Sequence, residues 1–305
     1  MTSQTEDPVD SPAMEPAPMS VPRPMYWSIR REMWENRSIY LAPLIVTAVV
    51  LFAASISIMV GVSHTMRGAS ALDPAKLRAA VVRPLAFAPA PIMLATFIVA
   101  FFYCLDALYG ERRDRSILFW KSLPVSDRTT VLSKASIPLV VLPLIAYVLS
   151  VITQVLLLEL STVVVAGSRL SPAAMWAEVR FFQGLVIMFF GLAAHALWFA
   201  PIYGWLLLVS AWARRAPVLW AIFPPFAIAM LERMAFSTSH FGLLLKYRVA
   251  GAMTAAFTRS DGNISRLSEL DPVKFLSTPG LWGGLIFAAA CLAAAFRLRR
   301  AREPI

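Results

Sequence analysis

Charge is scarce in this 305-residue sequence: 15% of its residues are Asp, Glu, Lys or Arg, while 58% are hydrophobic. Soluble domains carry about a quarter charged residues, so a chain this apolar could not clothe a water-facing surface. With a mean hydropathy of +0.66, much of it must be solvated by lipid. Two cysteines, Cys104 and Cys291, are too few for a disulfide framework or a cysteine-built zinc site. Both fall in apolar stretches, where they suit a small packing role. The three histidines, His64, His195 and His240, lie in separate segments and mark no metal centre. There is no Gly-x4-Gly-Lys-Ser/Thr loop to cradle ATP phosphates, no His-Glu-x-x-His and no Gly-x-Ser-x-Gly. No catalytic constellation emerges, and the chain does not read as an enzyme.

The net charge of +10 would fit a nucleic-acid binder. That class is set aside, because no basic stretch is interleaved with aromatics in a polar domain. The basic residues flank apolar segments instead, where they set orientation and meet anionic lipid.

Six stretches contain no Asp, Glu, Lys or Arg: Ser38–Met66, Pro84–Leu105, Ala135–Leu158, Phe181–Ala213, Ala216–Leu231 and Phe275–Phe296. Five reach the ~20 residues needed to cross ~30 Å of hydrocarbon as helix. Ala216–Leu231 is shorter and carries Pro224-Pro225, so it either continues past Glu232-Arg233 or is broken within the membrane. The expectation is an all-α membrane protein with six transmembrane helices, an N-terminal interfacial helix and a cytoplasmic coupling helix.

An even number of spans places both termini on one side. On that side lie sixteen of the 28 Lys and Arg, packed into the shorter flanks: Arg23–Arg37, Gly110–Lys134, Arg214-Arg215 and the stretch from Arg297 onward. The denser side should be cytoplasmic, giving a multi-pass protein of the plasma (inner) membrane. Residues 1–24 contain six prolines and four acids without an apolar run, the composition of a disordered tail. They lack the basic start and apolar core of a signal peptide. Residues 25–305 then form the membrane domain.

Three segments outside the spans stand out. Residues 25–37 read as a short helix with Tyr26, Ile29 and Met33 on one face and Trp27 and Trp34 at its border. Ser28, Arg31, Glu32 and Glu35 lie opposite, which suits a helix in the headgroup layer, although Arg30 interrupts the apolar arc. Residues 233–279 follow the proline-broken span and contain the apolar runs Phe241–Leu245 and Ala250–Phe257. Too short to cross alone and costly to leave in water, these runs are expected to form short re-entrant helices in the outer leaflet.

The third, residues 110–134, reads GERRDRSILFWKSLPVSDRTTVLSK. The charge cluster Glu111, Arg112, Arg113, Asp114 and Arg115 is followed by an apolar knot at Ile117, Leu118, Phe119 and Trp120. Pro124 breaks the chain, and Ser126 or Asp127 can cap a new helix leading into the third span. A loop that only had to be wet would not need Phe119-Trp120. On the residues alone, a partner-docking surface and a membrane-interface anchor stand level.

This loop resembles the coupling region of permease subunits of type-2 ABC exporters. The resemblance is carried by Glu111, Ser116 to Trp120, Leu123, Pro124, Ser126 and Lys134. Residues 26–37 are similar to that family's connecting helix, and Trp282 to Arg300 to its last span and basic tail. Such loops often carry a Gly-Thr pair after the basic cluster, where this chain has Arg115-Ser116. The resemblance implies a permease that exports an unidentified substrate with energy from a separate ABC-type ATP-binding subunit. ATP and Mg would be bound in that partner, and a second permease copy or a related permease would complete the route. Partner coupling would fall to Glu111, Arg112, Arg113, Arg115, Ile117, Leu118, Phe119, Trp120 and Pro124.

Ionisable groups in apolar surroundings are costly and often functional. Asp106 and Glu159 stand near predicted interfaces, and Glu232-Arg233 near an outer turn. His195, midway along the fourth span, is a candidate for lining a substrate route. The competing class is a self-contained secondary carrier or intramembrane enzyme, which would need several such groups acting together near the midplane. Only His195 is central. Topology can be tested with single cysteines introduced at Ser70 and Ser126. Ser70→Cys should react with an impermeant reagent in intact cells, and Ser126→Cys only after permeabilisation; the reverse pattern would overturn the assignment.

Overall fold

The computed structural model describes residues 24–67, 74–116, 126–166, 180–257 and 267–301. Six of its helical segments are long and apolar enough to cross a membrane. The chain is a multi-pass membrane protein. In chain order the helices are α1 (Pro24–Glu35), α2 (Ser38–Arg67), α3 (Pro74–Phe87) and α4 (Pro89–Asp106), followed by α5 (Tyr109–Arg113) and α6 (Asp127–Ser136). A π-helical turn (Ile137–Val141) joins α6 to α7 (Leu142–Val165), after which come α8 (Phe181–Trp212) and α9 (Pro217–Phe236). Three short helices, α10 (His240–Ala250), α11 (Ala252–Ala256) and α12 (Pro272–Ser277), precede the last span, α13 (Pro279–Ala301). Of the tail expected at 1–24, all but Pro24, the first residue of α1, lies outside the described residues.

Residues 63–84 differ from the loop expected between the first two spans. α2 runs to Arg67, and α3 starts at Pro74 and passes into α4 across Ala88 alone, so the second span begins earlier than its charge-free stretch. The fifth span is one helix that continues through Pro224-Pro225 and past Glu232-Arg233. A proline removes the N–H that would satisfy the carbonyl four residues back, here that of Ala221 for Pro225. The indole N–H of Trp205 donates to that carbonyl at 3.0 Å, so α9 stays helical.

The core is built on α8 and α13. Leu281, Gly284, Ala288, Cys291, Ala295 and Arg299 form the buried stripe of α13, at the three-and-four spacing of one helix face. Most of these are small, which lets backbones approach where no hydrophobic effect drives helices together. Gly204 of α8 shows how closely: a Cβ there would lie 3.1 Å from the Ala288 Cα. α2 and α9, in contrast, turn large side chains outward along their length, with Phe52, Leu219, Phe223 and Met234 all about two-thirds exposed or more. In a membrane protein such faces meet lipid or another membrane subunit.

Residues 233–279 are mostly helical where described, with α10, α11 and α12 joined by short turns and an isolated bridge between Phe257 and Leu270. Glu232 holds the start of α10 by accepting from the His240 and Phe241 amides at 2.7 and 2.8 Å and from the Thr238 hydroxyl at 2.9 Å. This answers the free N–H groups of a helix start. Arg248 pins α10 to the bundle: its guanidinium donates to the carbonyls of Trp198 and Gly280 and lies 4.7 Å from the Trp198 ring centre.

Candidate functional site

The first two residues of the charge cluster, Glu111 and Arg112, fold inward. Leu108 and Tyr109 turn the chain out of α4, and their amides donate to the Ser210 hydroxyl at 3.0 and 2.9 Å. The Arg112 guanidinium reaches the same place and donates to the carbonyls of Ser210 and Ala213 at 2.8 and 2.6 Å. Those are a carbonyl of the last turn of α8 and that of the residue capping it, where a cation is favoured by the helix dipole. The α4–α5 corner is thereby bolted to the end of α8.

One turn away, Glu111 enters a buried network. Its carboxylate lies 3.0 Å from the Lys134 ammonium of α6 and 3.3 Å from the Arg31 guanidinium of α1, and accepts from Arg299 of α13. Lys134 is shared with Glu32 of α1 at 2.8 Å, and Arg31 also reaches Glu32 at 2.8 Å. The other Glu32 oxygen accepts from the Tyr103 hydroxyl of α4 at 2.8 Å. Arg299 closes the outer edge on Asp127 at 3.1 Å. Lys134, Arg31 and Arg299 thus meet the carboxylates of Glu32, Glu111 and Asp127 across α1, α5, α6 and α13, with a phenol from α4, while Glu35 pairs with Arg31 at the exposed side at 3.7 Å. Glu32, Glu111, Lys134 and Arg299 are all buried. Unanswered charges at such depth would cost several kcal/mol each. Burial pushes the Glu32 carboxyl toward its neutral form, but Lys134 and Arg31 outweigh it and hold the group below its ordinary value.

Local sequence explains how each element delivers its group. On α1 the buried positions are Ser28 and Glu32, one turn apart, so the polar face of this helix packs into protein while Tyr26, Trp27 and Trp34 point away. Ser126 caps α6, its hydroxyl accepting from the Thr129 amide at 3.1 Å, which fixes the register of Asp127 and Lys134. Just beyond Lys134, Pro138 and Pro143 each withhold an amide, and the helix widens to a π turn in which the Leu142 amide bonds the Ile137 carbonyl.

The residues expected to couple to a partner are thus divided. Glu111 and Arg112 are turned into the chain's own core and present no charged rim, because each finds buried partners there. Arg113 and Arg115 are exposed, with Arg113 pairing along the surface with Asp114 at 2.9 Å and Asp106 at 3.7 Å. Arg115 adopts φ 57°, in the left-handed region that glycine occupies without strain. Ile117, Leu118, Phe119, Trp120 and Pro124 lie outside the described residues.

His195 stands apart from the network. It stacks on Phe199 at 4.3 Å and meets the edge of Phe97 at 5.9 Å. With Thr96, Pro138 and Tyr203 it lines a cavity of about 30 Å³, room for a water rather than a passage. Among the described residues no group of three or more His, Cys, Asp or Glu could hold a metal ion. No family model, curated protein or solved structure matches this chain.

Glu32, Arg31, Tyr103, Asp127 and Arg299 were not legible as site residues. Their partners lie up to 188 positions away, so no local spacing joins them. Lys134 entered only through the loop resemblance. The network makes a specific prediction for stability in detergent micelles. Lys134→Met leaves the Glu32 and Glu111 carboxylates facing each other and should cost about 3–5 kcal/mol in denaturant unfolding. Adding Glu32→Gln should recover a clear part of that loss, because the surplus negative charge is gone. Additive or independent effects would show that the groups do not act on one another.

Proposed function

We propose that this chain is the membrane-spanning permease subunit of an ATP-driven exporter of the type-2 ABC class. The observation that carries the proposal is the anchoring of the two segments that flank residues 117–125. Glu111 lies just before them and Asp127 and Lys134 just after them, and all three belong to one charge network with α1 and α13. A force applied to that loop is delivered to several spans together rather than dissipated in a flexible linker. That is the property required of a coupling element driven by a separate ATPase. The sequence shows no Gly-x4-Gly-Lys-Ser/Thr loop, and in this reading a separate ATP-binding subunit supplies the energy.

In this reading α1, the network and both termini face the cytoplasm, where the ATP-binding subunit docks. Phe119 and Trp120 fill a groove on that subunit, and exposed Arg113 and Arg115 form part of the polar rim that interface anchors require. Glu111 and Arg112 transmit motion instead of touching the partner. A second permease completes the substrate route, since the cavity of about 30 Å³ at His195 is too small for a passage. The largely exposed apolar face of α9 offers a surface for that copy.

Phe119→Ala/Trp120→Ala tests the proposal in a complex reconstituted with the candidate ATPase. The variant should insert normally, lose about 2–4 kcal/mol of docking energy and leave ATP hydrolysis unresponsive to the permease. Full partner binding and transport by the variant would reduce the knot to an interface anchor and overturn the coupling role.

A further inference from the structure

The outward face of α1 carries a groove with only its inner edge, Ile29, packed against the bundle core. Tyr26, Ile29, Arg30, Met33 and Trp34, with Tyr40 from the start of α2, line an open groove of about 560 Å³. Trp27 and Trp34 are more than half exposed on the same side. The Arg30 guanidinium lies 5.3 Å from the Trp27 ring centre and 4.6 Å from that of Trp34. Among the described residues no carboxylate lies within ion-pairing distance of it, because its acidic neighbours Glu32 and Glu35 face Arg31 instead.

This arrangement is a prepared anion receptor. The guanidinium lies over both indole rings, which hold it in place, and its N–H fork can offer two parallel bonds to two oxygens of one phosphate. The receptor is also placed at the foot of a lipid-facing span. Tyr40 continues directly into the exposed ridge of Leu41, Leu44, Ile45 and Phe52 on α2. A ligand with a phosphate at Arg30 could therefore lay an acyl chain along that ridge while its headgroup lies among Tyr26, Trp27 and Trp34. Aromatic side chains favour that depth, and exposed Arg37 at the α1–α2 junction adds to the attraction for negative charge. We propose that this groove is a specific binding site for an anionic phospholipid, with Arg30 as the phosphate ligand. The proposal depends on the membrane assignment and is independent of the exporter reading. It also accounts for Arg30 within the apolar arc of α1, which a plain interfacial helix does not require.

The full-length protein in detergent can be titrated with brominated phosphatidylglycerol and brominated phosphatidylcholine while tryptophan fluorescence is recorded. A Trp27→Phe/Trp34→Phe variant identifies the quenched reporters. Wild type should be quenched at roughly fivefold lower mole fraction of the glycerol lipid, the scale set by one basic residue at a membrane surface. Arg30→Gln should move that curve onto the choline curve, whereas Arg37→Gln should retain most of the preference. Equal quenching of wild type by both lipids would reduce the face to an ordinary interfacial surface and overturn the proposal. A preference that survives Arg30→Gln would assign it to net charge, with the same consequence. Tryptophans shielded from both lipids would mean that protein covers the face, which also overturns it.

Discussion

Lys134 holds its ammonium 2.8 Å from Glu32 and 3.0 Å from Glu111, deep in the protein, and the end of the bundle where α1, α5, α6 and α13 meet depends on that arrangement. Like charges brought this close would destabilise the fold; a shared cation turns their proximity into a junction. Arg31 and Arg299 balance the remaining charge, and Asp127 and Tyr103 occupy hydrogen-bonding positions left at the edges. A set of this kind gives little net stability compared with an apolar core of the same volume, because desolvation consumes most of the attraction. What it supplies is specificity of arrangement: a shift of any one element exposes an uncompensated charge.

That constraint organises the neighbouring structure. The α4–α5 corner cannot slide, since its amides and Arg112 are bound to the end of α8. α6 cannot rotate without withdrawing Lys134, yet directly after it the π turn at Ile137–Val141 interrupts the regular ladder. The rigid junction and the irregular turn lie in series, so displacement of α6 has a defined place to be absorbed or passed on to α7. α13 is held at one end by Arg299 and along its length by close contact at Gly204 and Ala288. Arg31 and Arg299 come from the first and last described helices and share Glu111, so those two helices meet at one end of the bundle, as an even number of spans requires.

Much of the fold could be read from the sequence because membrane burial leaves a one-dimensional mark. A charge-free run long enough to cross hydrocarbon is visible without knowledge of its neighbours. Five of the spans were therefore clear, as was a helix start at Ser126 or Asp127, of which the structure uses Ser126 through a contact three residues away. Where the reading stopped short, the deciding contact was distant. The continuation of α9 through two prolines depends on Trp205, and nothing near Pro225 announces that donor. Glu111 and Arg112 read as surface charge because charged clusters in loops usually are; their burial is decided by Lys134, Arg299 and Ser210. On α1 the amphipathic pattern was legible, but not that its polar face would meet protein and its aromatic face the surroundings.

Hydrogen exchange measured along the chain tests most directly whether the network binds these elements into one unit. Glu32→Gln removes a charge from α1 alone. If the junction is cooperative, amides in α5, α6 and the Phe296–Ala301 end of α13 should lose protection together with those of α1. Faster exchange confined to Pro24–Glu35, with the other three elements unchanged, would contradict the account.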